Sequence, residues 1–215
     1  MAGAKTIFGK MVFIACAALV CVVLSSALAG DTAGPDNGNT FDNLQAAYNG
    51  ESNANARFLA FAQKADDEGY GRIASLFRAS ARAEQVHFEH HAMIITDLGG
   101  IPAAGIKLPP VKSTGENLAN ALADETREST VMYPQFAAQA EKDDIPDAVI
   151  AFEDAKRADE ARAQIYASTL GDPAAWRGPR QDFYVCPVCG IIAEKLPPDS
   201  CPICSTPADQ FITAN

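Results

Sequence analysis

The sequence predicts an all-α protein: a four-helix bundle with one long crossover, followed by a small metal-knuckle module. Three observations predict it. Four long segments repeat apolar residues at helical spacing, and each carries acids on its otherwise apolar stripe. A Pro-rich stretch divides these segments into two pairs. Four cysteines close the chain as two Cys-x-x-Cys pairs. A chain of 215 residues, 48% hydrophobic, suits one medium domain and a small appendage. Its net charge of −10, with no basic cluster, argues against binding to a phosphate backbone and excludes nucleic acid as a partner.

Residues 1–29 read as an export signal. Lys5 and Lys10 form a positive start, Met11 to Leu24 an uncharged apolar run, and Ala27-Leu28-Ala29 a small-residue cleavage site before Gly30. The alternative is an uncleaved anchor, because Met11 to Gly30 is barely long enough to span a bilayer. The Ala-x-Ala ending favours cleavage after Ala29, and Val20 suits Cys21 badly as a lipoprotein site. The working part is then exported, in a bacterium to the periplasm, with no membrane attachment after cleavage. That part carries −12, since the signal holds two lysines and no acid. Cys16 and Cys21 leave with it.

Asp31 to Asn39 completes a flexible lead-in over residues 30–39. Thr40 is a candidate N-cap for a first helix to about Glu68, with Leu44, Ala47, Tyr48, Glu51, Phe58 and Ala62 inward. The second helix, about Gly71 to Leu98, turns Phe77, Ser80, Glu84, His87 and Ile94 inward. Gly99 to Thr114 holds Pro102, Pro109 and Pro110 and is too Pro-rich for a helix. A connection this long fits a crossover between bundle ends, as in ferritin-like topologies. A third helix starts near Ser113 or Thr114, with Leu118, Leu122, Glu125, Glu128, Met132 and Phe136 inward and a kink expected at Pro134. Pro146 opens a fourth, with Val149, Phe152, Asp159, Arg162, Tyr166 and Leu170 inward and Gly171 ending it. The bundle thus covers 40–171, and Glu160 falls on its outer face.

An internal repeat relates the two halves. Phe61 to Phe77 matches Phe136 to Phe152 in length and apolar pattern, and the same offset of 75 sets Glu84 against Asp159 and His87 against Arg162. Burying an unpaired carboxylate costs several kcal/mol, so inward acids imply a cation, and Glu-x-x-His on a core-facing stripe is a known bundle device for metal. The metal-free alternative is a bundle held by an Arg162–carboxylate network, with some acids protonated.

Asp172 to Asp182 reads as a linker, and 183–215 as a separate module. Cys186-Pro-Val-Cys189-Gly190 and Cys201-Pro-Ile-Cys204 place two sulfurs on each of two tight turns, a closed tetrahedral set suited to iron or zinc. Export also permits two disulfides, but the spacing favours metal. So short a segment has almost no core, and the metal would supply much of its folding free energy. The two Cys-Pro-x-Cys turns with Tyr184 and Phe211 resemble a rubredoxin, whose iron carries one electron at a time.

Glu51, Glu84-x-x-His87, Glu125-x-x-Glu128, Met132-Tyr133-Pro134 and the trailing rubredoxin-like module together resemble rubrerythrin, over nearly everything after residue 40. The resemblance implies a ferritin-like bundle with a non-haem di-iron site. It also implies reduction of hydrogen peroxide, with electrons fed from the rubredoxin-type iron in a head-to-tail homodimer and supplied by an electron-donor protein. Carried over, Glu51 and His87 are terminal ligands of the first iron, Glu84 a bridging carboxylate and Glu125 a terminal ligand of the second iron. Glu128 matches the glutamate that exchanges with histidine as the iron changes state. The fourth helix departs from the pattern. Where the family has a second Glu-x-x-His, this chain has Asp159-x-x-Arg162. Asp159 is carried over as a metal ligand, a carbon too short to bridge both metals, and arginine, always protonated, cannot ligate but can pair with Asp159 or Glu125. Using Glu160 instead puts Ala163 where the histidine belongs. His90 and His91 lie further along the second helix and are expected at the surface or behind the ligands.

The leading expectation is an exported peroxide-reducing iron oxidoreductase with a weakened second metal position. The alternative is an electron-transfer or iron-binding protein with a degenerate bundle site and no turnover. A third reading is a structural zinc module on a dimerising bundle.

Overall fold

A computed structural model describes residues 38–215. The export signal and nearly all of the lead-in lie outside the described residues. Five α-helices follow: α1 Thr40–Asp67, α2 Gly71–Asp97, α3 Thr114–Arg127, α4 Tyr133–Lys142 and α5 Pro146–Gly171. A π-helical turn, Glu128–Met132, joins α3 to α4, so these two make the third rod of the bundle. Among the described residues no helix is long and apolar enough to cross a membrane.

One expected helix end moves. Asn39, not Thr40, caps α1, its side chain accepting from the Asp42 amide at 3.0 Å. Thr40 is buried instead, its amide and hydroxyl both donating to Asp143 at 2.9 and 2.7 Å. The kink expected at Pro134 is a widened turn. Pro134 has no amide proton to give Thr130, and the Tyr133 amide reaches back five residues to the Glu128 carbonyl. Ser113 caps α3 in a reciprocal box with Glu116.

The repeat extends to the backbone of the turns. Gly69 and Asp144, 75 residues apart, both adopt positive φ, +77° and +57°. Around each, the same paired hydrogen bonds close the preceding helix: Tyr70 to Ala65 and Gly69 to Asp66, Ile145 to Ala140 and Asp144 to Glu141. The crossover, residues 100–113, has no regular structure and borrows its partners from α1. Gln45, Asn49 and Asn53, one turn apart, bond to the backbone of Ile101, Ala103, Gly105 and Lys107 at 2.7–3.2 Å.

The bundle core is two apolar clusters. One holds Phe58, Phe61, Phe77, Leu118 and Tyr166; the other holds Leu44, Ile95, Tyr133, Phe136 and Phe152. On all four rods the inward acids sit at the step between them, Glu51 on α1, Glu84 on α2, Glu125 on α3 and Asp159 on α5. The acids are therefore held in a polar band closed by hydrocarbon at both ends.

The C-terminal module is a small antiparallel sheet, order β2-β1-β3, from β1 Phe183–Val185, β2 Ile192–Ala193 and β3 Ile212–Ala214. It is less separate than its sequence suggests. Phe183, Val185 and Ile192 join the first apolar cluster, Trp176 stacks on Phe183 at 6.3 Å, and Arg72 reaches Gln181 at 2.7 Å. The stretch after α5 is thus docked along α2.

Candidate metal centre

Glu51, Glu84, Glu125 and Asp159 are each no more than 4% exposed, with His87 at 2% and Arg162 at 1% beside them. The spacing Glu84-x-x-His87 puts both side chains on one face of α2, where they meet Glu51 from α1. Three ligand atoms converge there. His87 Nδ1 lies 3.6 Å from Glu51 Oε2 and 3.7 Å from Glu84 Oε2. All three are buried, and among the described residues none has a hydrogen-bond partner. Two carboxylate oxygens and an imidazole nitrogen so placed are a donor set for a borderline or hard cation.

Each of these ligands is held from behind. His87 Nε2 is 3.2 Å from the Cys189 carbonyl oxygen, to which it donates, leaving Nδ1 as the lone-pair nitrogen. Tyr133, aimed inward by the π turn, donates a short hydrogen bond to Glu51 Oε1. Burial alone would raise the Glu51 pKa, but His87, His91 and the Tyr133 hydroxyl outweigh it and hold the carboxyl below its usual range. Burial, then the charge on Glu51, pushes the Tyr133 phenol well up.

The other side of Glu84 differs. Glu84, Glu125 and Asp159 also bring one oxygen each within 4.8 Å of one another, and an arginine nitrogen contacts an oxygen of all three. Arg162 Nη2 donates to Glu84 Oε1 at 2.5 Å and Asp159 Oδ1 at 2.7 Å, and lies 2.8 Å from Glu125 Oε2. A two-point pair with Asp159 or Glu125 is one expectation from the sequence and an Arg162–carboxylate network the other; the contacts are those of a network, a single nitrogen reaching three carboxylates. Burial works against the guanidinium's charge, yet Glu125 and Asp159 dominate and raise its pKa further. Burial raises the pKa of Glu125 and of Asp159, with Arg162 opposing in both cases.

Glu128 is in neither group. It begins the π turn, half-buried, 3.3 Å from Arg127, and burial with the charges of Glu125 and Glu51 pushes its pKa up to about 8. Glu160 is exposed, as its outer-face position requires. His91 is not a surface group. It is fully buried between Tyr133 and Phe152, both ring nitrogens without partners among the described residues. Burial drives its pKa down to about 4. The sequence offers His91 a place at the surface or behind the ligands and marks Tyr133 only within Met132-Tyr133-Pro134, without giving either a supporting contact; the one available signal for His91 is that it stands one turn beyond His87 on the same stripe.

The four cysteine sulfurs converge at the edge of α2, all within 4.8 Å of one another and free, with Cys186–Cys204 and Cys189–Cys201 at 3.5 and 3.4 Å. Each knuckle closes the same way, Gly190 and Ser205 donating to the first cysteine's carbonyl from positive-φ backbone. The donor set fits a tetrahedral ion.

Comparison with known proteins agrees with this geometry. A family model described as Rubrerythrin matches residues 42–169, and one described as Rubrerythrin, rubredoxin-like domain, matches 184–212. Nigerythrin from Nitratidesulfovibrio vulgaris is 35% identical over 176 residues, covering 81% of this chain and 86% of that protein. A putative rubrerythrin from Methanocaldococcus jannaschii is 34% identical, covering 80% and 91%. The solved structure of nigerythrin in its fully reduced, all-ferrous state superposes with a TM-score of 0.78 at 33% identity, over 86% of this chain and 91% of that one. A bacterioferritin from Desulfovibrio desulfuricans shares the bundle fold alone, at 22% identity and a TM-score of 0.60. Matched in both its parts, the chain belongs to the rubrerythrin family, and its cofactor is iron, held by the carboxylate–histidine cluster of the bundle and by the four cysteines.

Proposed function

We propose that this chain is an exported iron oxidoreductase that reduces hydrogen peroxide to water. The observation that carries the reading is the two faces of one imidazole: His87 Nδ1 is turned to Glu51 and Glu84, and Nε2 to the backbone of a cysteine ligand. Iron, when bound, supplies the electrons for peroxide reduction, which consumes two electrons and two protons and yields two waters. The chain's residues do the rest. Glu51, Glu84 and His87 set the ligand field, and Tyr133 fixes the Glu51 carboxylate. Glu128, with a pKa of about 8, is available to hold a proton near neutral pH beside Glu125. The apolar clusters above and below keep bulk water from the acids.

The cysteine centre then acts as the electron entry point. Cys189 carbonyl, hydrogen bond and His87 ring form a continuous path within one chain, so delivery needs no second copy, although a head-to-tail homodimer remains the assembly that the family resemblance suggests. An exported chain also needs a donor protein on its own side of the membrane. Export rests on the sequence of residues 1–29.

The competing reading, an iron or electron-transfer protein without turnover, is favoured by one observation, Arg162 among the second set of acids. Anaerobically reduced mature protein mixed with peroxide separates the two. Turnover is expected to consume peroxide catalytically under a steady electron supply, with the red ferric tetrathiolate colour returning as the donor runs out. A single stoichiometric oxidation without further peroxide loss would rule the peroxidase reading out.

A further inference from the structure

We propose that the bundle centre of this chain binds one metal ion, between Glu51, Glu84 and His87, and that the Arg162 guanidinium is the built-in second cation. The inference concerns the metal count and rests on iron binding, not on peroxide turnover.

The two halves of the polar band are unequal. On the Glu51 side three buried ligand atoms face one another and have no partner among the described residues. On the other side the oxygens of Glu84, Glu125 and Asp159 are spaced for an ion, all within 4.8 Å, but Arg162 Nη2 already contacts each of them at 2.5–2.8 Å. A ferrous or ferric ion needs carboxylate oxygens at roughly 2.0–2.2 Å around the same point. The nitrogen and the ion cannot share it.

Nor is the arginine easily moved. It arises from α5, is 1% exposed, and its guanidinium lies over the Phe58 ring at 5.9 Å from the centroid. Swinging it out would bury a fixed positive charge in the aromatic cluster beyond, away from its three acids. Its Nε and Nη1, Asp159 Oδ2 and Glu125 Oε2 have no hydrogen bond among the described residues, although Glu125 Oε2 lies 2.8 Å from Arg162 Nη2. Here the atoms without hydrogen bonds include the guanidinium's own donors, so the cluster already holds a cation, whereas the three on the Glu51 side are all ligand atoms.

Charge points the same way. With all four buried carboxyls ionised, one guanidinium leaves −3, which one ferric ion cancels; a second ferric ion would leave +3 in a site closed by hydrocarbon. Glu84 keeps a bridging role, but between a metal, through Oε2, and an arginine, through Oε1. The shortened Asp159 fits this arrangement, because it meets a guanidinium that comes to it from its own helix, three residues on.

The test is iron stoichiometry in the full mature chain, loaded anaerobically with excess ferrous iron, desalted and counted, then oxidised with excess hexachloroiridate(IV), a one-electron oxidant, with no peroxide present. We expect two irons per chain: a ferric tetrathiolate and one uncoupled high-spin ferric ion visible by electron paramagnetic resonance. A reductive titration should take two electrons per chain. Three irons with an exchange-coupled, resonance-silent pair would overturn the proposal, and so would one iron, held by the cysteines alone. The double variant Asp159→Glu, Arg162→His is expected to gain a third iron and the coupled signature. If that variant keeps its helical circular dichroism yet stays at two irons, Arg162 is not what excludes the second ion; if it does not fold, the count in the parent decides alone. Peroxide consumption is scored separately, so either reading can fail without the other.

Discussion

A β-carbon on Gly190 would lie 2.3 Å from His87 Nε2. Gly190 and Ser205 stand at equivalent points of the two cysteine knuckles and share positive φ, +73° and +63°. Serine tolerates that backbone in the second knuckle, so φ alone does not demand glycine in the first. The approach to His87 does. Gly190→Ala should push the knuckle off α2 and lengthen the Cys189–His87 contact. We expect at least about tenfold slower electron transfer between the two iron centres, measured by stopped flow, because proper placement of reacting groups commonly governs effects of this size. The tetrathiolate spectrum should persist. Ser205→Ala, with no neighbour of this kind, should leave the rate unchanged.

Tyr133 is the only described side chain that donates a hydrogen bond to Glu51. Tyr133→Phe keeps the ring between Phe136 and Phe152 but removes the donor that orients a ligand. Loss of such a support typically costs 10–100-fold in metal affinity. Chelator competition should show the bundle iron leaving that much more readily, while the cysteine iron is held as before. Equal retention in parent and variant would show that packing alone positions Glu51.

His91 makes the fold acid-sensitive. Its pKa falls from 6.5 to about 4 on folding, because burial opposes the charged ring. Below pH 6.5 the unfolded chain takes up a proton that the folded chain refuses, so this contribution is intact above that pH and is lost as pH falls toward 4. His91→Phe, filling the same space between Tyr133 and Phe152, should abolish that loss. Denaturant unfolding of both metal-free proteins at about pH 7 and about pH 4.5 should show the parent losing roughly 2–3 kcal/mol more than the variant. Parallel losses in the two proteins would exclude His91 as the cause.

The cysteine metal holds the module in place, and Trp176 reports on it. It is the chain's only tryptophan, 8% exposed and stacked on Phe183. The module's own sheet has strands of two or three residues, too little to stand without the ion. Cys201→Ser, or stripping the metal, should shift Trp176 emission to the red while bundle helicity remains. An unchanged emission would mean that contacts with α2 suffice.

Much of this was readable before any coordinates. Glu84 and His87 announced themselves as polar groups three apart on an apolar stripe, and the cysteine spacing is specific because two sulfurs on one tight turn serve little else. The offset of 75 reached as far as the backbone of Gly69 and Asp144, since equal helix lengths need equal turns. Other features left no such mark. Asn39 took the cap because Thr40 found Asp143, 103 residues away in the chain. Pro134 signalled an irregularity but not that a π turn would absorb it. His91 could not be placed between the surface and the region behind the ligands, because a histidine near a ligand reads the same whether it faces water or two aromatic rings.

The sequence by itself determined the parts: four amphipathic rods with acids at matching heights, a crossover, two thiolate turns and an arginine where a ligand belongs. Those follow from periodicity and spacing, which are local. Only the tertiary structure decided how the charges share one another, since that depends on distances between side chains far apart in sequence. It put one arginine nitrogen among three carboxylates, turned three other ligand atoms toward one another, and laid a cysteine carbonyl on the far side of His87.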